Sequence, residues 1–403
     1  MKFLFINVVC GIGSTGRICT DIAESLEAKG HTVKIAHGRG PVPDKYKKYS
    51  VPVGGKLNTY IHALYARLDD ASGLGSKIAT KKFIKWIKEY DPDIIHLHNI
   101  HGYYINVEML FNYIRTCGKK TYWTLHDCWS FTGHSPYCDA ANCEKWKTGC
   151  FKCPQLKYSP KSFVDKSKRN WNFRKKIFTG IPNMHLITPS NWLANLVKES
   201  FLKGYPVKVI NNGINTKNFY PLRNDFKEKY HIENKFMILG VSSVFDEMKG
   251  IDDFIKLASI VDDDCVIVLV GKVEDKYLKL LPSNIIHIDH TNGIKEMAYI
   301  YNAADVFVNL TKQDTYPTVN LEAIGCGIPV VTYDVGGSTE IVNRYGGIVV
   351  PKGDIAGVQD ALRKAECNKK SSFEEIDNTT SISNYVSIYL NCEIIGGVLL
   401  SKD

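Results

Sequence analysis

"KFLFINVVCGIGSTGRICTDIAESLEAKGHTVKIAHG", residues 2–38, decides the fold class. A short apolar run, rich in Phe, Ile and Val, has strand character. A glycine loop follows it at Gly11, Gly13 and Gly16. Ile18, Ile22 and Leu26 then recur at helical spacing, and "TVKIAHG" supplies a second strand. Strand, crossover helix and strand in that order give a parallel β-α-β unit, buried on both faces.

The same alternation continues outward. "DIIHLHN", "KTYWTLHD", "HLITPS" and "VKVINNG" read as further strands between helical segments. The pattern breaks at the polar stretch "PLRNDFKEKYHIENK", residues 221–235. It restarts with "FMILGVSS", "CVIVLVG", "IIHID", "DVFVNLT" and "GIVVP". Two arrays in 403 residues predict two doubly wound α/β domains, 1–223 and 224–403. Ligands of such sheets lie beyond the carboxyl ends of the strands, at topological switch points. The expected active site is a cleft between the two domains.

Composition narrows the class. The net charge of +9 divides into +19 over residues 1–223 and −10 over residues 224–403. A basic first half suits an anionic membrane surface, nucleic acid or a phosphorylated substrate, and equally a solvated surface with no partner. No apolar run approaches the roughly 20 residues of a membrane span. The opening "MKFLFINVVCGIG" lacks the form of a signal peptide, so the chain is expected to be cytoplasmic.

In the first half, "GIGSTG" matches the dinucleotide fingerprint, and Arg17 just inside the helix adds a positive charge. The second strand ends without an acid for a ribose. Arg39 is left as a contact for the 2′-phosphate of NADP, and a tight turn with no ligand is the plain alternative. "LHNIHGYY" and "WTLHDCW" place His98, His101 and His126 after strands, where imidazoles bind hydroxyls or move protons. "CDAANCEKWKTGCFKC" holds Cys138, Cys143, Cys150 and Cys153 in an insert at about 134–155. In a reducing compartment this spacing suits a structural zinc or free thiols better than disulfides, with His134 as a spare ligand. Residues 157–178 interleave Lys and Arg with Phe163, Trp171, Phe173 and Phe178. Such a segment suits a membrane surface, single-stranded nucleic acid, or a basic helix packed on its own domain.

In the second half, Lys249-Gly250 stands at a helix start, where charge and backbone N–H groups suit a diphosphate. "QDTYPTVNLEAIGCGIPVVTYDVGG", residues 313–337, carries Asp314 before a helix and Glu322 within it. Pro317 fits the first turn, with Thr315 or Thr318 as a cap. A carboxylate accepts two hydrogen bonds from a vicinal diol, so one acid suits a sugar ring and the other a ribose. The alternative is simple dipole stabilisation at a helix N-terminus.

Taken together, "GSTGR", "IIHLHNIHGYY", "WTLHDCWSFTGH", "CEKWKTGC", "NNGIN", "DTYPTVNLEA" and "GG" resemble the retaining glycosyltransferases of family 4, in their colanic-acid and capsule branch. The likeness spans residues 1 to about 365 and implies the GT-B fold. It implies a metal-independent transfer from a nucleoside-diphosphate sugar (a UDP- or GDP-sugar) to a saccharide acceptor, lipid-linked, in surface polysaccharide synthesis. It puts the paired acids on Asp314 and Glu322, with Asp where Glu is usual, and the diphosphate lysine on Lys249. The family's nearby Arg is missing, which shifts weight to Ser243. It puts the donor-sugar histidine on His126, donor contacts on Gly13, Arg17, Thr318 and Asn320, and the acceptor side on His98 and His101. No cofactor for catalysis and no nucleic acid are implied, and peripheral contact with the inner membrane face is. The rival readings are a sugar-nucleotide epimerase of the same fold, an NADP-dependent oxidoreductase and a nucleic-acid binder. The end "NCEIIGGVLLSKD" does not read as a final crossover helix.

Overall fold

Strand β1 (Lys2–Ile6) sends Phe3 and Phe5 into one core and Leu4 and Ile6 into another. Alternation of this kind, apolar on both faces, is what a strand covered by helices on each side requires. The structure, a computed structural model, describes residues 1–365, 376–390, 392–395 and 398–401. It divides into two compact units, Met1–Asn211 with Ile382–Asp403, and Asn212–Ser381. The sequence reading put the change at 223/224 and gave the whole C-terminal end to the second domain.

The first unit contains β2 (Thr32–His37), β3 (Ser50–Pro52), β4 (Ile94–Leu97), β5 (Lys120–Thr124), β6 (Met184–Thr188) and β7 (Val207–Val209). They form a parallel sheet in the order β3-β2-β1-β4-β5-β6-β7. Its helices are α1 (Gly13–Ala28), α2 (Lys56–Asp69), α3 (Lys77–Tyr90), α4 (Val107–Cys117), α5 (Ser167–Phe178) and α6 (Asn191–Glu199). The chain leaves β1 toward β2 and β3, then returns to β4 on the other side. The switch point therefore lies between the carboxyl ends of β1 and β4.

The second unit repeats the plan. Helix α7 (Phe226–Lys229) leads into β8 (Phe236–Phe245), β9 (Cys265–Val273), β10 (Ile285–Ile288), β11 (Val306–Asn309), β12 (Val330–Tyr333) and β13 (Ile348–Val350). Their parallel order is β10-β9-β8-β11-β12-β13, so the switch point lies between β8 and β11. Met237 and Leu239 of β8 face one core and Ile238 the other. Helices α8 (Ile251–Ala258), α9 (Asp275–Leu278), α10 (Ile294–Ala303), α11 (Thr318–Gly325), α12 (Ser338–Tyr345) and α13 (Ile355–Ala365) complete it.

Helix α14 (Asn378–Leu390) begins in the second unit's residues and continues into the first unit's. There Tyr385, Val386 and Tyr389 pack with Phe3, Phe5 and Ile22. The Tyr122 hydroxyl bonds the Ile388 carbonyl, and the Tyr389 hydroxyl bonds His96. The final helix that the sequence reading did not find thus lies just before "NCEIIGGVLLSKD". In that stretch Cys392–Ile395 and Val398–Ser401 pair as antiparallel strands β14 and β15, and the rest lies outside the described residues.

His62 of α2 ties α2 to the chain leading into α3. Its Nε2 accepts from the backbone N–H groups of Gly73 (3.2 Å) and Gly75 (3.0 Å), and Nδ1 meets Ser76 Oγ at 2.8 Å. A ring nitrogen that accepts two N–H bonds carries no proton, and burial lowers the His62 pKa to about 4. Between that value and the ordinary 6.5 the unfolded chain binds more protons, so stability rises with pH across the window. Stability from His62 is complete above 6.5 and falls as the pH drops toward 4. At about 1.4 kcal/mol per unit, this is on the order of 3 kcal/mol. Urea unfolding at neutral pH and within that window should show the loss, and His62→Gln should flatten the slope. A wild-type midpoint that does not move between the two conditions would sink the neutral-histidine assignment.

Candidate functional site

At the β8/β11 switch point two loops turn apart and leave side chains facing each other. The loop after β8 carries a short 3-10 turn, Glu247–Lys249, capped by Asp246, whose Oδ1 accepts from the Lys249 N–H at 2.9 Å. Gly250 closes it with φ +75°, and a Cβ there would lie 2.2 Å from the Leu310 carbonyl oxygen. Only glycine lets the β8 loop approach the β11 loop so closely. Lys249 Nζ then reaches Asp314 Oδ2 at 3.1 Å. The lysine side chain is 30% and the aspartate 26% exposed, so the pair is worth about 1 kcal/mol or less.

Asp314 is fixed from behind. Gly337 donates its N–H to the Asp314 carbonyl at 3.1 Å. Gly336 adopts φ +53°, where a Cβ would lie 1.8 Å from the same oxygen. The glycine pair of "YDVGG" therefore holds the backbone of a residue more than twenty positions earlier. Glu322 sits in α11, only 5% exposed, and accepts from the Tyr301 hydroxyl at 3.1 Å. Asn320 is fully buried. Its Oδ1 accepts from Asn309 Nδ2 at 2.7 Å, while its Nδ2 has no hydrogen-bond partner. Thr318 opens α11, but the cap position is Pro317 and no side-chain oxygen caps the helix. A threonine cap was expected, and proline at the cap leaves it no place. Ser243 is exposed on β8, beside a register irregularity at Val241/Val244. The first turn of α8 carries Asp252 and Asp253, engaged by the hydroxyls of Tyr277 (3.1 Å) and Tyr333 (3.2 Å). These acids oppose an anion at that helix end and leave Lys249 as the cationic group.

In the first unit, Asn7 organises the switch point. Its Nδ2 donates to the Val9 carbonyl (2.8 Å) and Thr15 Oγ1 (3.2 Å), and its Oδ1 accepts from the Asn99 N–H (3.1 Å). Gly11 donates to the Gly16 carbonyl at 3.2 Å, closing the loop. Gly13, at φ +63°, faces open space, and Arg17 follows it on α1. Asn7 was missed in the sequence. It stands directly after the strand, where a polar residue inside an apolar run was the available signal.

The histidines gather after β4 and β5. His98 Nδ1 lies 3.1 Å from His126 Nε2, with the rings stacked. His101 Nε2 meets Asp127 Oδ2 at 2.7 Å, and Asp127 Oδ1 accepts from the Trp129 N–H at 2.8 Å. These groups line one small pocket with Asn99, Trp123 and Ser130. Burial lowers His126 to about 4 and His98 well below its ordinary value, so both are neutral at pH 7. Burial pushes Asp127 upward, but His101 and the Trp129 N–H outweigh it and the net shift is downward. The pocket offers two neutral imidazoles, His98 and His126, beside the His101–Asp127 pair. Asp127 is a further residue that the motif "LHDCW" contains and the sequence reading passed over.

The cysteine insert closes around one cavity. Cys138, Cys143, Cys150 and Cys153 line one cavity with His134, and Cys138 is 6% exposed and packed in the core, its thiol hydrogen-bonded to that of Cys128. Among the described residues no three His, Cys, Asp or Glu side chains are grouped so that they could hold a metal ion. Cys138, Cys143, Cys150 and Cys153 are all free thiols. The basic aromatic stretch 157–178 also resolves. Trp171 and Phe178 are buried on α5, and the Arg174 guanidinium lies 3.9 Å over the Trp129 ring and donates to the Trp129 and Thr132 carbonyls. That helix is packed on its own unit, which leaves Phe163 exposed.

Comparison with known proteins completes the picture. Residues 15–218 match the family model described as Glycosyltransferase Family 4, and residues 223–380 match Glycosyl transferases group 1. The putative colanic acid biosynthesis glycosyl transferase WcaC of Escherichia coli K12 is 24% identical over 310 residues, 72% of this chain and 70% of that protein. The N,N'-diacetylbacillosaminyl-diphospho-undecaprenol alpha-1,3-N-acetylgalactosaminyltransferase of Campylobacter jejuni is 26% identical over 167 residues, 38% of this chain and 44% of that protein. In fold, the chain is similar to Anabaena Alr3699/HepE in complex with UDP-glucose, with a TM-score of 0.66 at 15% identity over 97% of this chain and 99% of that one. Two doubly wound parallel sheets of this kind make the GT-B fold, and with the match over 15–218 the chain belongs to glycosyltransferase family 4.

Proposed function

We propose that this glycosyltransferase is retaining and metal-independent, and that it transfers a sugar from a nucleoside diphosphate to a lipid-linked saccharide in surface polysaccharide synthesis. The observation that carries the reading is the Lys249–Asp314 pair at the β8/β11 switch point, with the buried carboxylate of Glu322 on α11. The names of the two relatives support the pathway class and the lipid-diphosphate acceptor. The UDP-glucose bound to HepE supports the donor class.

The roles follow from charge. A diphosphate carries more negative charge than one carboxylate, so it competes successfully for Lys249 against a pair worth about 1 kcal/mol. Lys249 then stabilises the departing diphosphate, and Asp314, released, accepts hydroxyl hydrogen bonds from the sugar. Glu322 is the ribose ligand, held by Tyr301. Thr318, Asn320 and Ser243 line the donor side, and Gly13 and Arg17 serve phosphate or acceptor from the first unit. Neutral His126 hydrogen-bonds sugar hydroxyls without adding charge, and His98 and His101 face the acceptor. No protein nucleophile is assigned. The leaving phosphate assists attack on the same face.

Binding and turnover measurements test this. Glu322→Gln should weaken binding of the nucleoside diphosphate and the nucleotide sugar alike, by about ten-fold or more in calorimetry, from loss of charge-assisted bonds. Asp314→Asn should weaken only the nucleotide sugar. Equal losses for both ligands in both variants would remove the division of labour. Lys249→Ala should lower kcat by about 10²–10³, as loss of one leaving-group stabiliser does. Wild-type turnover should be unchanged in EDTA, and the product should keep the donor's anomeric configuration by NMR. Inversion, or activity abolished by the chelator, would overturn the mechanism.

A further inference from the structure

Helix α2 turns its apolar side outward. Leu57, Tyr60, Ile61, Leu64, Tyr65 and Leu68 recur at helical spacing and are 43–73% exposed, whereas His62 and Ala66 alone of this helix are buried. A soluble helix normally shows the reverse. The stripe is extended at both ends. Asn58 and His62 bond Ser76, which brings Ile78 (77% exposed) of α3 beside the start of α2. The Phe163 N–H bonds the Arg67 carbonyl at 2.9 Å, which sets Phe163 (76% exposed) at its end.

The surroundings are cationic. Lys77, Lys81, Lys82, Lys85 and Lys88 of α3 are all exposed, and of these Lys85 pairs loosely with Glu89 at 3.8 Å. Lys161 and Lys166 flank Phe163. We infer that the α2 stripe, with Ile78 and Phe163, is a docking surface for an anionic lipid membrane, its apolar side chains entering the headgroup boundary and the α3 lysines meeting the lipid charges. An apolar helix face bordered by lysines has the form of an interfacial helix. Charge argues against a second copy as the occupant. A two-fold interface would set the same lysine border against itself. The surface is independent of the donor-site assignments above.

Flotation of the full-length protein with vesicles tests it. Wild type should float with phosphatidylcholine vesicles rich in phosphatidylglycerol and far less with pure phosphatidylcholine. The bound fraction should fall in high salt. Ile61→Asp with Leu64→Asp should reduce partitioning at least about ten-fold, because both residues belong to the inserting face. Phe163→Ser should reduce it less. Both sites are exposed, so the melting temperature and nucleotide-sugar binding should stay as in wild type, which separates failure here from failure of the donor site. Undiminished flotation of the double variant, or no flotation of wild type, overturns the proposal. So does light scattering that shows a dimer broken by Ile61→Asp with Leu64→Asp, since the face would then belong to a second copy.

Discussion

A parallel sheet buried on both faces leaves polar chemistry one kind of place, the loops beyond the carboxyl ends of its strands. Most candidate groups here obey that constraint, while Ser243 lies on β8 itself and Glu322 within α11. Asn7 and Gly13 follow β1, His98 and His101 follow β4, His126 and Asp127 follow β5, Lys249 follows β8 and Asp314 follows β11. The strands themselves are spent on packing, as the alternation of Phe3 and Leu4 or Met237 and Ile238 between two cores shows. Reversal of strand order then decides which loops diverge, and both units place charged or glycine-rich loops at that reversal.

Glycine makes the second switch point tight enough to act. Gly250 lets the β8 loop touch the β11 loop, and Gly336 lets the β12 loop support Asp314. A side chain at Gly250 would push apart the two loops that present Lys249 and Asp314, and one at Gly336 would displace the support behind Asp314. The ion pair that results is weak because it is partly wet. In the proposed reaction, that weakness suits a group that exchanges partners when a phosphate arrives.

The repeated β-α-β rhythm and the polar stretch at 221–235 made the fold class readable from residues alone, because short apolar runs and period-3.6 apolar patterns are local signals. The site residues were reachable through motif order. What one sequence does not carry is the partner of each group. That Lys249 meets Asp314, that Tyr301 holds Glu322, and that Cys138 packs on Cys128 are pairings across 21 residues or across 65, or across a turn, set by tertiary contact. Helix α14 escaped because "NTTSISNYVSIYL" is polar at most positions, and its three buried residues, Tyr385, Val386 and Tyr389, make a thin stripe.

Helix α2 shows the opposite difficulty. "LNTYIHALYARL" has an apolar period of the kind that lines a core in most soluble helices. The structure gives the core face to His62 and Ala66 instead, and His62 spends its ring on Gly73, Gly75 and Ser76. A neutral histidine bridging three backbone or hydroxyl groups anchors the helix from its narrow side, so the wide apolar side is free for another medium. Periodicity reports that a face is apolar, and only the packed neighbours report whether protein is what covers it. The buried His62 and the exposed Leu64 are therefore two sides of one arrangement, in which the interior hydrogen bonds fix the orientation that the outer stripe requires.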